Sequence, residues 1–422
     1  VAAVDDLRAE LIEWLKVNWT ESITVREWWR RLADDGWAQP AWPLGLGGRG
    51  LTTSDARMVT DVLAERGVVA PPAGHVGVSL AAPTILAHAT EEQKATYLPR
   101  LARGEDAWCQ LFSEPGSGSD LASVGCRAVR DGAGWVVTGQ KVWNSSADKA
   151  RRGMLLARTN LDVPKREGIT YFLIDMAQPG VEVRPLKQMN GAAEFCEVFL
   201  DGAFVGDDQI LGQLDGGWAV AATTLGFERA SVAVRAARGL RVVPSGEKAG
   251  YLDRVIADVI NAKSATTRTI PGNAVPARRL FELAKERGRS HDPVIRQRLM
   301  SYYCQTEVNR LTLMRARAAA AQGRRPGPEG SLTKLAIANI CKTSRSLSLD
   351  LLGADALLQG SDAPFDGEFQ KVALGSFGVS IGGGTDEIQR NIIGERALGL
   401  PREPEADRGV PYRELRVGTQ AR

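Results

Sequence analysis

Four stretches of this 422-residue chain combine residue types at spacings that could do chemistry. The sharpest holds Glu228. A helical period starts near Gly217, and Ala221, Leu225, Glu228 and Val232 follow at intervals of 4, 3 and 4, on one helix face. A carboxylate in an apolar stripe loses hydration, which makes it more basic and suits it to general-base work near neutral pH. The same spacing suits an ion pair with an arginine of another helix, such as Arg310, and spacing alone leaves both readings open.

Ser113-Glu114-Pro115-Gly116-Ser117-Gly118-Ser119-Asp120 follows the apolar Trp108–Phe112 run. It joins hydroxyls to glycines that allow a ligand close to the backbone, although a plain turn has the same composition. Trp143-Asn144-Ser145-Ser146 ends a strand-like run with an aromatic beside two hydroxyls, which reads as a wall for a flat heterocycle or as ordinary packing. Gly382-Gly383-Gly384-Thr385-Asp386-Glu387 opens a helix with Ile388, Ile392 and Ala397 on one side. Thr385 is a good N-cap there, and bare glycine amides near a helix N-terminus suit an anion or a carbonyl. No Gly-Lys-Ser/Thr follows, so the segment is not a P-loop. Gly45-Leu46-Gly47-Gly48-Arg49-Gly50 satisfies G-x-G-x-x-G, but Pro40, Trp42 and Pro43 stand where a dinucleotide fold needs a strand. It reads as a structural loop.

The elements that must position these residues follow from periodicity. Residues 1–106 read as helices: Val4, Leu7, Leu11, Trp14 and Leu15 recur at helical spacing, Ile23 to Leu32 continues until Gly36, and Thr90-Glu91-Glu92-Gln93 matches a capping box. From Trp108 the period changes. Cys126–Trp143, interrupted by Asp131-Gly132-Ala133-Gly134, then Met154–Ala157, Ile169–Ile174, Val181–Val183 and Glu194–Leu200 read as strands of a domain spanning 107–212. Helical spacing returns over 213–400. Within it, segment 241–277 reads as an inserted excursion bounded by Pro244-Ser245-Gly246 and Pro271-Gly272-Asn273, with an amphipathic run at Leu252, Val255, Ile256, Val259 and Ile260. Residues 401–422 read as a charged tail. The expected class is α+β, mostly α, in the order helices, β-domain, helices.

Composition removes several functions. The chain is 44% hydrophobic and 24% charged, with a net charge of +3, ordinary for a globular protein and too small a surplus to mark a nucleic-acid binder. Five cysteines with no C-x-x-C pair fit a reducing, cytoplasmic setting, and His75, His88 and His291 are too scattered for a metal site. No secretory signal is visible. Gly67 to Thr90 lacks charged residues, but its prolines, histidines and Ala/Val content argue against a membrane span.

Taken together, the order and spacing of these motifs resemble the acyl-CoA dehydrogenase family. The resemblance rests on Phe112-Ser113-Glu114-Pro115-Gly116-Ser117-Gly118-Ser119-Asp120, Gly139-Gln140-Lys141-Val142-Trp143 and Gly384-Thr385-Asp386-Glu387-Ile388-Gln389-Arg390. It covers roughly residues 5–400 apart from the excursion. It implies an N-terminal helical domain, a central β-domain and a C-terminal helical bundle, with FAD between the last two. Positions matching Gln110, Phe112, Ser113, Gly118, Ser119, Trp143 and Ser145 would line the flavin, and Thr385 and Glu387 would touch it or its phosphates. The implied reaction is α,β-dehydrogenation of an acyl-CoA, with hydride passing to the flavin and electrons to an electron-transfer flavoprotein.

Family members carry the catalytic base at one of two positions. One lies directly before the Gly-Thr of the last motif, where this chain has Gly383, which cannot take a proton. The other lies on the preceding helix in a Glu-Arg pair, where this chain has Glu228-Arg229. The resemblance therefore implies Glu228 as base, with Arg229 toward CoA. Gly383 would leave room for a bulky or branched acyl group, such as a steroid side-chain thioester.

Other positions depart from the pattern. Where homo-oligomeric members use Arg-x-x-Phe-Gly and Gln-x-x-Gly-Gly to hold a partner's FAD, this chain has Arg287-Gly288-Arg289-Ser290-His291 and Asp350-Leu351-Leu352-Gly353-Ala354. Arg287 and Gly353 keep part of that half, while Asp350 would repel a pyrophosphate. The expectation is an α2β2 hetero-oligomer with a second acyl-CoA dehydrogenase-like subunit, a homo-oligomer being the alternative. An acyl-CoA oxidase, a non-catalytic FAD-poor scaffold subunit and a plain small-molecule binding module are the competing functions.

Overall fold

Helix starts in the N-terminal region are set by threonines. Thr24 accepts from the Glu27 amide, Thr52 from that of Asp55, and Thr90 forms the expected capping box with Gln93. They open α2 (Val25–Asp34), α3 (Thr53–Glu65) and α5 (Glu91–Ala102); α1 (Ala2–Asn18) precedes them, and α4 (Ala82–His88) continues a π-helical turn at Gly77–Ala81. The computed structural model describes residues 2–74, 76–231, 240–262, 273–322, 327, 329–404 and 407–415. Trp28, Trp29 and Leu32 of α2 are fully buried, and the two indole N–H groups donate to Val69 O and Ala70 O at 2.8 Å. Such bonds make a buried indole tolerable.

Seven strands follow: β1 (Trp108–Leu111), β2 (Arg127–Asp131), β3 (Gly134–Ser145), β4 (Arg152–Arg158), β5 (Ile169–Asp175), β6 (Val181–Leu186) and β7 (Phe195–Gly206). Their order is β1-β4-β2-β3-β7-β6, with β5 against β4. The unbroken apolar runs of β4 and β5 have a simple cause. Met154, Leu156, Tyr171 and Leu173 enter the core shared with the N-terminal helices, and Leu155, Ala157, Phe172 and Ile174 enter a second core on the other face.

The remaining helices are α6 (Gly217–Ser231), α7 (Ile256–Asn261), α8 (Ala277–Glu286), α9 (Pro293–Ala321), α10 (Glu329–Leu352), α11 (Glu368–Val379) and α12 (Asp386–Arg396). The helical, β, helical order is the one expected. The described chain divides into two compact units, one of residues 2–186, 193–262 and 407–415, the other of 187–192 and 273–404. The second has its own core, including Leu280, Leu299, Leu347 and Phe369.

Two segments differ from their reading in sequence. Of the amphipathic run at 252–260, only the second half is helical, because residues 252–255 run alongside the start of α2. Arg26 and Val25 donate to Leu252 O and Arg254 O at 2.8 and 3.0 Å, and Ile256 donates to Ile23 O at 2.9 Å. Leu252, Ile256 and Val259 thereby enter the N-terminal core, and Arg241 bridges Val69. The Pro271-Gly272 end of the segment lies outside the described residues. The charged stretch 401–422 contains a docked piece: residues 407–415 pair Pro411 with Pro164 and bury Tyr412. Composition hid it, because one aromatic anchor is outweighed there by charges and prolines.

Candidate active site

The Ser113–Asp120 stretch is a loop tied from below. Glu114 turns inward: Oε2 accepts from the Gly125 amide at 2.7 Å, and Oε1 accepts from that of Cys126 at 2.9 Å and from Lys141 Nζ at 2.7 Å. Lys141 is wholly buried and also donates to Phe112 O and Leu156 O. Gly118 and Ser119 are left exposed, with open space where a Gly118 Cβ would stand. Sequence reading missed the roles of Glu114 and Lys141. Lys141 and Val142 are buried in succession because β3 and β7 shift register between Lys141 and Asn144, which no alternation pattern reveals.

Glu228 reaches this region from α6. The helix starts against β5, where a Gly217 Cβ would lie 2.5 Å from Tyr171 N, so only glycine fits. Thr224 Oγ1, one turn before Glu228, bonds Thr84 Oγ1 at 3.0 Å and Tyr171 Oη at 3.2 Å. Ala221 is buried, Leu225 packs on the same core, and Val232 lies outside the described residues. Glu228 itself is half-buried, and its Oε2 accepts a long hydrogen bond from Gln110 Nε2 at 3.4 Å. Arg229 is half-buried beside it. Arg310 donates Nε to Glu307 of its own helix at 2.8 Å.

Four of the expected flavin residues cluster with Gln110. Phe112 is buried edge-on to Tyr171, with ring centroids 5.7 Å apart, and Ser113 accepts the Val142 amide at its carbonyl. Asn144 donates Nδ2 to Gln110 O at 2.7 Å, while its buried Oδ1 has no partner. Trp143 is 60% exposed at φ 63°, a conformation costly for a bulky residue, and its ring stands edge-on to Phe195. Ser145 is half-buried at the end of β3. Glycine loop 45–50, by contrast, serves packing: a Gly47 Cβ would meet Ala102 Cβ at 2.2 Å. The cavity of about 520 Å³ beside it is lined by Arg49 and Arg103, which are paired with Glu10 and Asp34.

In the second unit, Thr385 caps α12 by accepting from the Ile388 amide, as its position predicts. Gly383 and Gly384 both have positive φ, and a Gly384 Cβ would strike Gln389 Nε2 at 2.6 Å. Gln389 donates to Gly383 O at 2.8 Å, fixing the turn. Asp386 is buried between Lys342 at 2.6 Å and Lys334 at 3.3 Å, while Glu387 is exposed beside Arg390. Arg287 is bound to Asp355 at 2.7 Å, and Asp350 to Arg298 at 2.6 Å. Gly353, at φ 61°, follows the end of α10. Among the described residues no group of three or more His, Cys, Asp or Glu could hold a metal, and no helix is long and apolar enough to cross a membrane.

The chain order is helices, a β-domain and a further set of helices, with the Glu228 carboxylate brought to the first strand. The chain belongs to the acyl-CoA dehydrogenase family, a family of FAD-dependent oxidoreductases: residues 3–105 match its N-terminal domain, 109–203 its middle domain and 270–398 its C-terminal domain. It is 36% identical over 423 residues to acyl-CoA dehydrogenase IpdE1 of Mycobacterium tuberculosis, covering 95% of this chain and 98% of that protein. It is 37% identical over 372 residues to acyl-CoA dehydrogenase FadE34 of the same organism, but this chain spans only 46% of that longer protein. Among solved structures it resembles the Tcur3481-Tcur3483 steroid ACAD, with a TM-score of 0.68, 25% identity and coverage of 96% of this chain and 99% of that one. It also resembles the ChsE4-ChsE5 complex from Mycobacterium tuberculosis, with a TM-score of 0.63, 26% identity and the same coverage.

Proposed function

We propose that this chain catalyses FAD-dependent α,β-dehydrogenation of an acyl-CoA thioester, with Glu228 as the base for the α-proton. The observation that carries this reading is the 3.4 Å approach of Gln110 Nε2 to Glu228 Oε2. It puts a half-buried carboxylate beside the strand that leads into the Ser113–Asp120 loop. Gly383, at the family's other base position, has no side chain to compete for the role.

The residues present fit a flavin. Trp143 offers an exposed aromatic face, Ser113, Ser119 and Ser145 offer hydroxyls, Gly118 leaves backbone open, and Asn144 Oδ1 is a buried acceptor with no partner. When bound, FAD supplies the acceptor for the hydride that leaves the β-carbon. Glu228 accepts the α-proton, and the Gln110 amide orients its carboxylate. Leu225 and Phe227 of the same helix pack against the N-terminal core and hold this end of α6 to it. Arg229 serves the CoA moiety, and Thr385 and Glu387 the cofactor. Electrons pass on to an electron-transfer flavoprotein.

The substrate reading is a bulky acyl group, of the steroid side-chain type, supported by the absence of a side chain at Gly383 and by likeness to a steroid ACAD. A hetero-oligomer is favoured over a homo-oligomer by one observation. Arg287, the cation expected to reach a partner's pyrophosphate, is held by Asp355 of its own chain. Met300, Tyr303, Leu311 and Met314 of α9 are exposed and would be covered on assembly.

The test is the FAD-to-chain ratio, read from the visible spectrum, for the chain purified alone and after co-expression with a second acyl-CoA dehydrogenase-like chain. Near zero alone and substantial together is the expected result. A ratio of about one alone refutes the hetero-oligomer. FAD-loaded protein whose visible band is not bleached anaerobically by any acyl-CoA refutes the dehydrogenase.

A further inference from the structure

The loop that carries Gly118 and Ser119 is gripped on its other side by a part of the chain nearly three hundred residues away. Arg158 ends β4 and is 2% exposed. Its guanidinium donates Nη2 to Ala122 O at 2.6 Å, Nε to Val124 O at 3.1 Å and Nη1 to Lys165 O at 2.8 Å. Among the described residues no carboxylate forms an ion pair with it. The Tyr412 ring lies over it instead, 3.7 Å from its central carbon, and Tyr412 Oη donates to Ser123 O at 3.3 Å. Three successive carbonyls, Ala122 to Val124, are thus held by one Arg–Tyr stack.

The stack is fixed to the β-domain by backbone. Tyr412 N donates to Val163 O at 2.9 Å and Arg413 N to Leu161 O at 3.0 Å. Lys165 joins the two parts again, bonding Asp407 at 2.9 Å and Asp120 at 3.1 Å. Asp120 in turn accepts from Ser123 Oγ, and its carbonyl accepts from Ser117 Oγ at 2.7 Å. Gly118 and Ser119 therefore sit between two anchored residues.

We propose that residues 407–415 are a strap that positions the Ser117–Cys126 loop for the cofactor, with Tyr412 acting through Arg158 as a positioning residue. The inference rests on the flavin reading of that loop. Stacking over a desolvated guanidinium is the interaction a ring provides and an aliphatic side chain does not.

The experiment compares wild type, Tyr412→Phe, Tyr412→Leu and Tyr412→Ala in the full chain, or in the complex if that is the form that takes up FAD. Amide hydrogen exchange is followed across residues 117–126, and FAD affinity is measured by fluorescence titration. Tyr412→Phe keeps the ring over Arg158 and loses only the bond to Ser123 O, so its exchange and FAD affinity lie between those of wild type and Tyr412→Leu. Tyr412→Ala and Tyr412→Leu speed exchange in that stretch and weaken FAD binding by about tenfold. The leucine variant preserves bulk, so it decides the matter if the alanine variant fails to fold. Wild-type exchange and wild-type affinity in Tyr412→Leu overturn the strap. Absence of FAD binding in wild type both alone and in the complex refutes the flavin reading instead, and the exchange comparison then decides the strap by itself.

Discussion

Glu114 and Lys141 form an ion pair at 2.7 Å whose lysine end is entirely removed from solvent. Every donor on that ammonium is used, and both Glu114 oxygens also take backbone amides, so the pair meets the condition under which buried charge is tolerated. It ties β3 to the loop that follows β1. Lys141→Met would leave Glu114 without its cation in a mostly buried site, and we expect a loss of about 3–5 kcal/mol. Urea unfolding of the two proteins measures it; a loss under about 1 kcal/mol would mean the latch is dispensable.

Glu228→Gln keeps the size of the side chain and removes its basicity. The variant should fold, retain wild-type FAD content and lose dehydrogenation by about a hundred- to ten-thousandfold. Stopped-flow bleaching of the flavin band by acyl-CoA is the readout. Turnover near wild type would remove Glu228 from the mechanism.

Ile256 is fully buried, and its amide donates to Ile23 O at 2.9 Å, so segment 241–262 closes the N-terminal core. Ile256→Ala should cost about 2–5 kcal/mol through lost burial and the cavity left behind. A variant as stable as wild type in thermal or denaturant unfolding would show that the segment is peripheral.

Burial pushes the Asp386 carboxyl up, but bonds from Lys342 and Lys334 outweigh it and hold the group below the usual carboxylate range. A carboxyl whose folded pKa is depressed stabilises the fold above its unfolded value, near 4, and that contribution is lost as pH falls through the folded value. Asp386→Asn should therefore be less stable than wild type at neutral pH, with the gap narrowing as the medium is acidified below about pH 4. A gap independent of pH would assign the loss to packing alone.

Much of this molecule is legible in its residues taken in order. Local signals act over a few positions, so Thr90 with Gln93, Thr385 before α12 and the Asp131–Gly134 turn announce their elements directly. Glu228 could be singled out because helical spacing places it on the face of Ala221 and Leu225. Partners distant in sequence were not legible. That Gln110 meets Glu228, that Arg287 is bound by Asp355, and that Tyr412 covers Arg158 are consequences of chain crossings, and the burial of Lys141 beside Val142 of a register shift in β3. Side-chain type and spacing thus determined the elements and the candidate chemistry. Only the tertiary structure decided which charges pair and which loops are held, because desolvation and hydrogen bonding depend on neighbours that only the fold brings together.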